Sequence, residues 1–477
     1  VIDAANAGTV TVSGQTSSFT SVGTLNGRDG ADSFAVAVAG SLTGAIDGGL
    51  GADTLTGPST GAVFTVTGAD RGNLQDPGAT SLLNTIGGAA QGFTNVENLS
   101  GAAGQDIFDV TAAGASLAGG ISGGGEVDTI TIGGNANVVA GVVSGGGDAD
   151  VINLNDGADV TGGGVDGGAG TDAVNVTGTV SGDLGGGADD DIFTLAAGAI
   201  LNGVITGGTG SDLIDGGDTS TVFRITGLNS GLLDGRVDGF SSVESLAGGT
   251  ADDTFRFEGA GDLAGAIDGG GAGADSDVIE GLDGGVDNVT LTGADAGDAD
   301  FAAAGFSDVE SVDLRDGADN VTLGDGSSLS GTLSGGAGAD SLIGPDTATT
   351  FNVTGVDAGN VTGGSTIPDF QSFENLTGGA DNDTFDVAAN LSGNIDGGAG
   401  TEDTLNLAAG VTIGGNVTNV ENVNLVVNGT TGTTAGADTI VIRNTGGILE
   451  AVVNGSVSQF FTPAGASNIS LTVAGLG

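Results

Sequence analysis

One short phrase returns along this chain at steps near 21 residues: an Asp, any residue, then a large apolar residue, entered from a Gly/Ala-rich turn. Its Asp positions are Asp32, Asp53, Asp106, Asp128, Asp150, Asp172, Asp191, Asp212, Asp253, Asp277, Asp287, Asp319, Asp340, Asp383, Asp403 and Asp438. A fixed period of this length marks a repeat architecture, in which no single unit can bury its own apolar face. Within one period, Asp383-Thr-Phe-Asp-Val387 alternates apolar and polar residues as a strand does. A short turn, a second strand around Ile395 and a Gly-rich turn complete the period. Strands this short gain stability only when stacked rung on rung. The expected fold is therefore all-β: a parallel β-solenoid (β-helix) of about 23 rungs, one per period.

A larger unit overlies the rung. The phrases at Gly48–Leu55, Gly207–Ile214 and Gly335–Leu342 each lead to an F-x-[VI]-T-G phrase, at Phe64, Phe223 and Phe351, and then to a Glu phrase at Glu97, Glu244 and Glu374. This divides one continuous solenoid into a partial unit at 1–47, units at 48–206, 207–334 and 335–424, and C-terminal rungs over 425–477. Extra residues within about 74–88 predict a surface loop. The repeated Glu97, Glu244, Glu310, Glu374 and Glu421 read as solvated strand ends, with Asn98, Asn375 and Asn422 stacking or satisfying the adjacent turn. Phe93, Phe240, Phe306 and Phe370 precede the Glu phrases by a fixed step and read as core. The chain opens and closes inside a repeat, which predicts continuation in a longer chain or end-to-end self-association of copies.

Composition decides which chemistry such a solenoid can carry. The 477 residues include 100 Gly and 61 Asp plus Glu, against seven Arg and no Lys, for a net charge of −54. His, Cys, Met, Trp and Tyr are absent. Thiol and Ser-His catalysis, zinc, haem and iron–sulfur chemistry and Schiff bases are thereby excluded. The charge repels nucleic acid and anionic membranes, and no apolar run is long enough to span a bilayer. Hydrophobic residues are 38 % of the chain, unlike a disordered acidic segment. Carboxylates, carbonyls and hydroxyls remain, a donor set suited to Ca²⁺.

The turn phrase G-G-x-G-x-D-x-φ, at Gly48–Leu55, Gly167–Val174, Gly207–Ile214 and Gly335–Leu342, resembles the nonapeptide of hemolysin-type (RTX) calcium repeats. Gly123–Ile130, Gly145–Ile152 and Gly397–Leu405 come near it. The resemblance implies Ca²⁺ bound between stacked turns by Asp53, Asp172, Asp212 and Asp340, and by Asp128, Asp150 and Asp403. Tandem RTX arrays repeat the phrase every nine residues, whereas here it returns about every 21. The large unit looks like the Gly/Asp/Thr-rich repeats of giant bacterial surface and adhesin-like proteins. Without any resemblance, each Asp also reads as a turn residue accepting a backbone N–H.

Three functions compete. A polysaccharide-degrading β-helix enzyme could use Asp189-Asp190-Asp191 or Asp252-Asp253 as its carboxylates, but aromatic platforms, His and Lys are missing. An ice- or mineral-binding Thr ladder could use Thr9-Val-Thr11, Thr65-Val-Thr67 and Thr129-Ile-Thr131, which do not recur in every rung. An extracellular structural rod (an adhesin stalk, surface-layer or filament component), not an enzyme, fits the repetition and the narrow chemistry. Its expected partners are further copies, a cell-surface glycan or another matrix protein, with no nucleic acid and no membrane insertion.

Overall fold

In the computed structural model the described residues are 1–12, 15–77, 92–134, 137–271, 275–408, 410–428, 440–445, 448–453, 456–461 and 468–474. Among them there is no helix, and the strands form long, mostly parallel, stacked sheets: the fold is a β-solenoid. The chain divides into two compact units, Val1–Thr221 with Asn229–Gly249, and Val222–Leu228 with Thr250–Gly477. In the second unit the first sheet includes Thr254–Phe257, Val278–Glu280, Ser311–Asp313, Thr349–Gly355, Thr384–Val387, Thr404–Leu407 and Asn422–Asn428, and the second includes Asn288–Gly293, Asn320–Leu323, Ser341–Ile343 and Asn375–Thr377.

In the first unit the chain passes alternately between two sheets. The first sheet stacks Ser33–Ala35, Thr54–Thr56, Asn98–Ala102, Ile121–Gly124, Val143–Gly147, Val165–Ala169, Leu184–Ala188 and Ile200–Thr209, all in parallel. The second contains Ile107–Val110, Thr129–Ile132, Val151–Leu154, Ala173–Val176, Ile192–Leu195, Leu213–Asp215 and Ser245–Ala247, again parallel and in unbroken register. Period-two alternation sends every other side chain inward. Phe108, Ile130, Ile152, Val174, Phe193 and Ile214 make one fully buried column, and Val110, Ile132, Leu154, Val176 and Leu195 another. Each buried side chain stacks on its counterpart one rung away, which is why a core this slender can be continuous.

Antiparallel blocks interrupt the stacking. In the second sheet of the first unit, Val63–Gly68, Arg71–Gln75 and Phe93–Thr94 run back and forth. Their outer members rejoin parallel neighbours, Ile107–Val110 and Ile46–Asp47. The second unit has two such blocks: Asn288–Gly293, Ala296–Ala299 and Ala302–Ser307, and Thr349–Gly355, Ala358–Gly363 and Ile367–Gln371. The F-x-[VI]-T-G phrases at Phe64 and Phe351 are the first strands of two of these blocks, and the phrase at Phe223 is likewise a strand, Val222–Gly227. In each, the Phe packs face to face on the Phe of the next parallel strand: Phe64 on Phe108 at 4.7 Å, Phe223 on Phe255 at 4.9 Å and Phe351 on Phe385 at 5.1 Å. In the block at Asn288–Gly293, Val289 stands where the others have Phe. These blocks take residues that dividing the length by the period assigns to rungs. Phe93, Phe240, Phe306 and Phe370 are all buried, as expected of core.

Three segments differ from the sequence reading. Leu74 and Gln75, expected to open a surface loop, belong to an antiparallel strand in which Leu74 is fully buried; residues 78–88 of that expected loop lie outside the described residues. The first residues form an antiparallel sheet of Ile2–Ala4, Ala7–Val12 and Gln15–Thr20. Within 425–477, read as C-terminal rungs, Asn468–Ala474 does stack in parallel on Asn422–Asn428. Between them, Ile440–Thr445, Ile448–Val453 and Ser456–Phe461 form an antiparallel sheet. Only two residues separate these successive strands, too few for a parallel crossover.

Candidate functional site

Asp438 lies outside the described residues; the other repeated Asp residues form ladders, and all of them but the half-buried Asp32 are buried. Each stands immediately before an inward-alternating strand, where the Gly-rich turn delivers the chain to the sheet. In most of them Oδ1 accepts the backbone N–H of the corresponding residue one rung back, while Asp287 takes the Leu282 N–H on Oδ2; in each, the Asp's own N–H donates to the acid one rung on. The longest ladder lies on the second sheet of the first unit. It begins at the Ala62 N–H, which donates to Asp106, and continues through Asp128, Asp150, Asp172 and Asp191 to Asp212, with N···O distances of 2.6–2.8 Å. The Asp212 N–H then donates to Glu244 Oε2 at 2.9 Å.

Every ladder ends on a Glu. Asp32 donates to Asp53 and Asp53 to Glu97. In the second unit, Asp253 donates to Asp277 and Asp277 to Glu310. Asp287, Asp319 and Asp340 lead to Glu374, and Thr349, Asp383 and Asp403 lead to Glu421. The five Glu residues therefore are not solvated strand ends. Each holds the register position of a ladder Asp but is reached from an antiparallel block or another connection instead of the Gly-rich turn. Two residues before each Glu the backbone turns left-handed, at Asn95, Ser242, Asp308, Ser372 and Asn419, with φ between 50° and 56°. Asn, Asp and Ser tolerate this better than branched residues. Asn98 and Asn375 behave as expected of turn residues: each Nδ2 donates to the carbonyl of the last Asp, Asp53 or Asp340.

All seven Asp residues singled out for metal, Asp53, Asp128, Asp150, Asp172, Asp212, Asp340 and Asp403, are ladder members exposed by no more than 1 %. They are strung one per rung rather than gathered. Each leaves its Oδ2 buried and without a hydrogen-bond partner, as do Asp32, Asp106, Asp191, Asp277 and Asp319. A shielded carboxylate oxygen without a donor is costly, so this column calls for a proton or a cation. Its surroundings are glycine. A Cβ added to Gly145 would be driven into Asp150 Oδ2 and would lie 2.6 Å from the Gly167 carbonyl oxygen. Gly145 has no positive φ, so closeness alone demands glycine here. Gly145→Ala is expected to destabilise the chain by about 1–3 kcal/mol, measured as a fall in thermal midpoint; an unchanged midpoint would show that the turn yields to the methyl group.

Burial pushes the carboxyls of the longest ladder up, and the N–H donated to each pulls it partly back. Asp106 and Asp191 reach about 7, and Asp128, Asp150 and Asp172 about 6. Asp212, Asp340 and Asp403 are raised as well, for the same first cause.

Four of the five acids considered for catalysis serve the backbone, and the fifth, Asp189, is exposed. Asp191 and Asp253 are ladder members, Asp190 Oδ1 accepts the Ser211 N–H, and Asp252 Oδ1 accepts the Ser276 N–H. One acidic group escaped the sequence reading. Asp275, Asp277 and Glu310 bring a carboxylate oxygen each to within 4.8 Å of one another, and this group could hold a metal ion. No helix among the described residues is long and apolar enough to cross a membrane. No family model and no curated protein matches this chain.

Proposed function

We propose that this chain is a structural β-solenoid of an extracellular surface, matrix or filament, and that Ca²⁺ neutralises its carboxylate ladders. The observation that carries the reading is the ladder itself. The one chemical group present in nearly every rung ties that rung's backbone to the next, and its second oxygen is left to a hard cation. A carboxylate oxygen flanked by glycine carbonyls is a donor set of the kind Ca²⁺ takes. Acids committed to the stack serve cohesion better than turnover, so the chain acts without catalysing a reaction. The Thr-ladder alternative is weakened by the outward column itself: Asp109, Thr131, Asn153, Asn175 and Thr194 follow one another in register. Such a mixed column offers no regular hydroxyl array to ice or mineral. Stacking of copies or continuation in a longer chain, with a glycan or matrix protein at the surface, remains the partner reading.

The test is far-UV circular dichroism during heating at pH 8, first with Ca²⁺ and then with chelator. Depletion should lower the melting midpoint by about 10 °C or more, and Ca²⁺, not Na⁺, should restore it. Identical melts in chelator and in Ca²⁺ would remove the cation from this reading and leave the apolar columns to hold the stack.

A further inference from the structure

We propose that Asp275, Asp277 and Glu310 form a discrete site for one hard divalent cation, Ca²⁺ in preference to Mg²⁺. It differs from the ladders, which present one acid per rung; here three carboxylates converge. The proposal stands whether or not the ladders take cations.

The site arises where two separate sequence features coincide. The first is the Glu ending of a ladder. The second is an acid two residues before a ladder Asp, which occurs at Glu126, Asp148, Asp189, Asp275 and Asp381. The last Asp of the other ladders is preceded at that step by Gly51, Gly210, Gly338 or Thr401, so those ends lack a third carboxylate. Conversely, Glu126, Asp148, Asp189 and Asp381 are exposed and stand in rungs whose ladder continues into another Asp. At Asp275 alone does the inward acid meet a Glu end.

The free valences point the same way. Asp277 is fully buried; its Oδ1 accepts the Asp253 N–H, while Oδ2 has no hydrogen-bond partner. Both oxygens of Asp275 are shielded and lack a hydrogen-bond partner. Glu310 is 7 % exposed, and its Oε2 accepts the Asp277 N–H at 2.7 Å. The charged groups acting on Asp277 are Asp275, Asp253 and Glu310, all acids. Three anions with little water around them need a positive charge greater than one. All-oxygen donors select a hard ion. Mg²⁺ retains several waters in a strict octahedron, for which a buried group leaves little room, whereas Ca²⁺ accepts irregular and bidentate carboxylates.

The experiment is Ca²⁺ titration of the chelator-stripped full chain, by isothermal calorimetry and equilibrium dialysis. One site tighter than the rest is expected, and equimolar Mg²⁺ should not displace Ca²⁺ from it. Asp275 takes no part in the ladder, so Asp275→Asn should leave the fold intact and weaken that site by roughly tenfold or more. At low free Ca²⁺ this variant would bind one ion fewer per chain. Glu310→Gln keeps an acceptor for the Asp277 N–H and should show the same loss. Asp148→Asn, at an exposed acid two residues before a continuing ladder Asp, should bind like the parent. Full parental stoichiometry and affinity in both Asp275→Asn and Glu310→Gln would overturn the site, as would a parent without a tightest site; displacement by Mg²⁺ would overturn the choice of ion. A parent that melts identically with and without Ca²⁺ yet loses one ion on Asp275→Asn would keep this site while discarding the ladder reading. The reverse pattern would do the opposite.

Discussion

Raising the pH from 4 to 8 in chelator is expected to lower the melting midpoint of this chain by about 15 °C or more. Most proteins lose stability toward acid; here the sign is reversed. Burial raises Asp106 and Asp191 to about 7 and Asp128, Asp150 and Asp172 to about 6, against an ordinary carboxyl value of 3.8. Asp277 and Asp287 in the second unit are raised to about 7 by the same cause. Below pH 4 these groups hold their protons folded or unfolded, and the stabilisation is fully present. Between pH 4 and 7 the unfolded chain releases protons that the folded chain keeps, so stability falls as pH rises. Above pH 7 the buried oxygens are ionised, and the whole loss has been taken. The net charge of −54 adds repulsion in the same direction. Melts at intervals of one pH unit check this, and a midpoint that is flat or rises from pH 4 to 8 would refute it. Repeating the series in Ca²⁺ should flatten it at the alkaline end, where a cation takes the place of the proton.

Asp172→Asn should change sign with the medium. Asp172 Oδ1 accepts the Asp150 N–H at 2.7 Å, its own N–H donates to Asp191 Oδ1 at 2.8 Å, and its Oδ2 has no hydrogen-bond partner. Asparagine preserves the acceptor and the shape, and it places a donor where the bare oxygen stood, beside the Gly186 carbonyl. At pH 8 in chelator the variant should therefore be more stable than the parent by about 1–3 kcal/mol, the cost of a buried acceptor left unpaired. In saturating Ca²⁺ the advantage should vanish or reverse, because a charge that binds the ion is gone. Asp172→Ala should destabilise in both media, since it strands the Asp150 N–H. Chemical denaturation of the three proteins in both media is the measurement. A less stable Asp172→Asn in chelator would mean that the ionised ladder is already content.

The rung was legible because its two determinants are local. Period-two alternation and a Gly-rich turn before Asp can be read without knowing which rung follows. Even the need for glycine at Gly145 follows from an Asp five residues later in the same phrase. The ladder was not legible in this way, since its hydrogen bonds run between residues about a period apart and only stacking shows that an Asp on one rung serves the next. The Glu residues were misread for the same reason. Glu244 looks like the end of a strand until register places its following residue, Ser245, opposite Leu213, the residue after Asp212. A signal was present nonetheless: Asn95, Asp308 and Asn419 precede Glu by two and belong to types that accept left-handed backbone, and Ser242 and Ser372 stand at the same step. None of the antiparallel blocks was foreseen; the F-x-[VI]-T-G phrase marks some of their strands, and at Asn288–Gly293 even that mark is missing, because Val289 replaces the Phe. Asp275 stayed hidden because its importance depends on Glu310, one rung away.

The antiparallel blocks carry a consequence for how such a chain can lengthen. In the second unit, the ladder of Asp253, Asp277 and Glu310 precedes strands of the first sheet; the ladder that enters the block at Asn288–Gly293, from Asp287 through Asp319 and Asp340 to Glu374, precedes strands of the second. The ladder that enters the block at Thr349–Gly355, through Asp383 and Asp403 to Glu421, is back on the first. A block thus acts as a parity operation on the acidic column. Duplicating a stretch with one block would exchange the faces of everything downstream, while duplicating a stretch with two would restore them. Plain rungs can be added or lost in any number without that exchange. Growth by recombination is free in rungs and constrained to even numbers in blocks wherever something outside the chain must recognise one particular face.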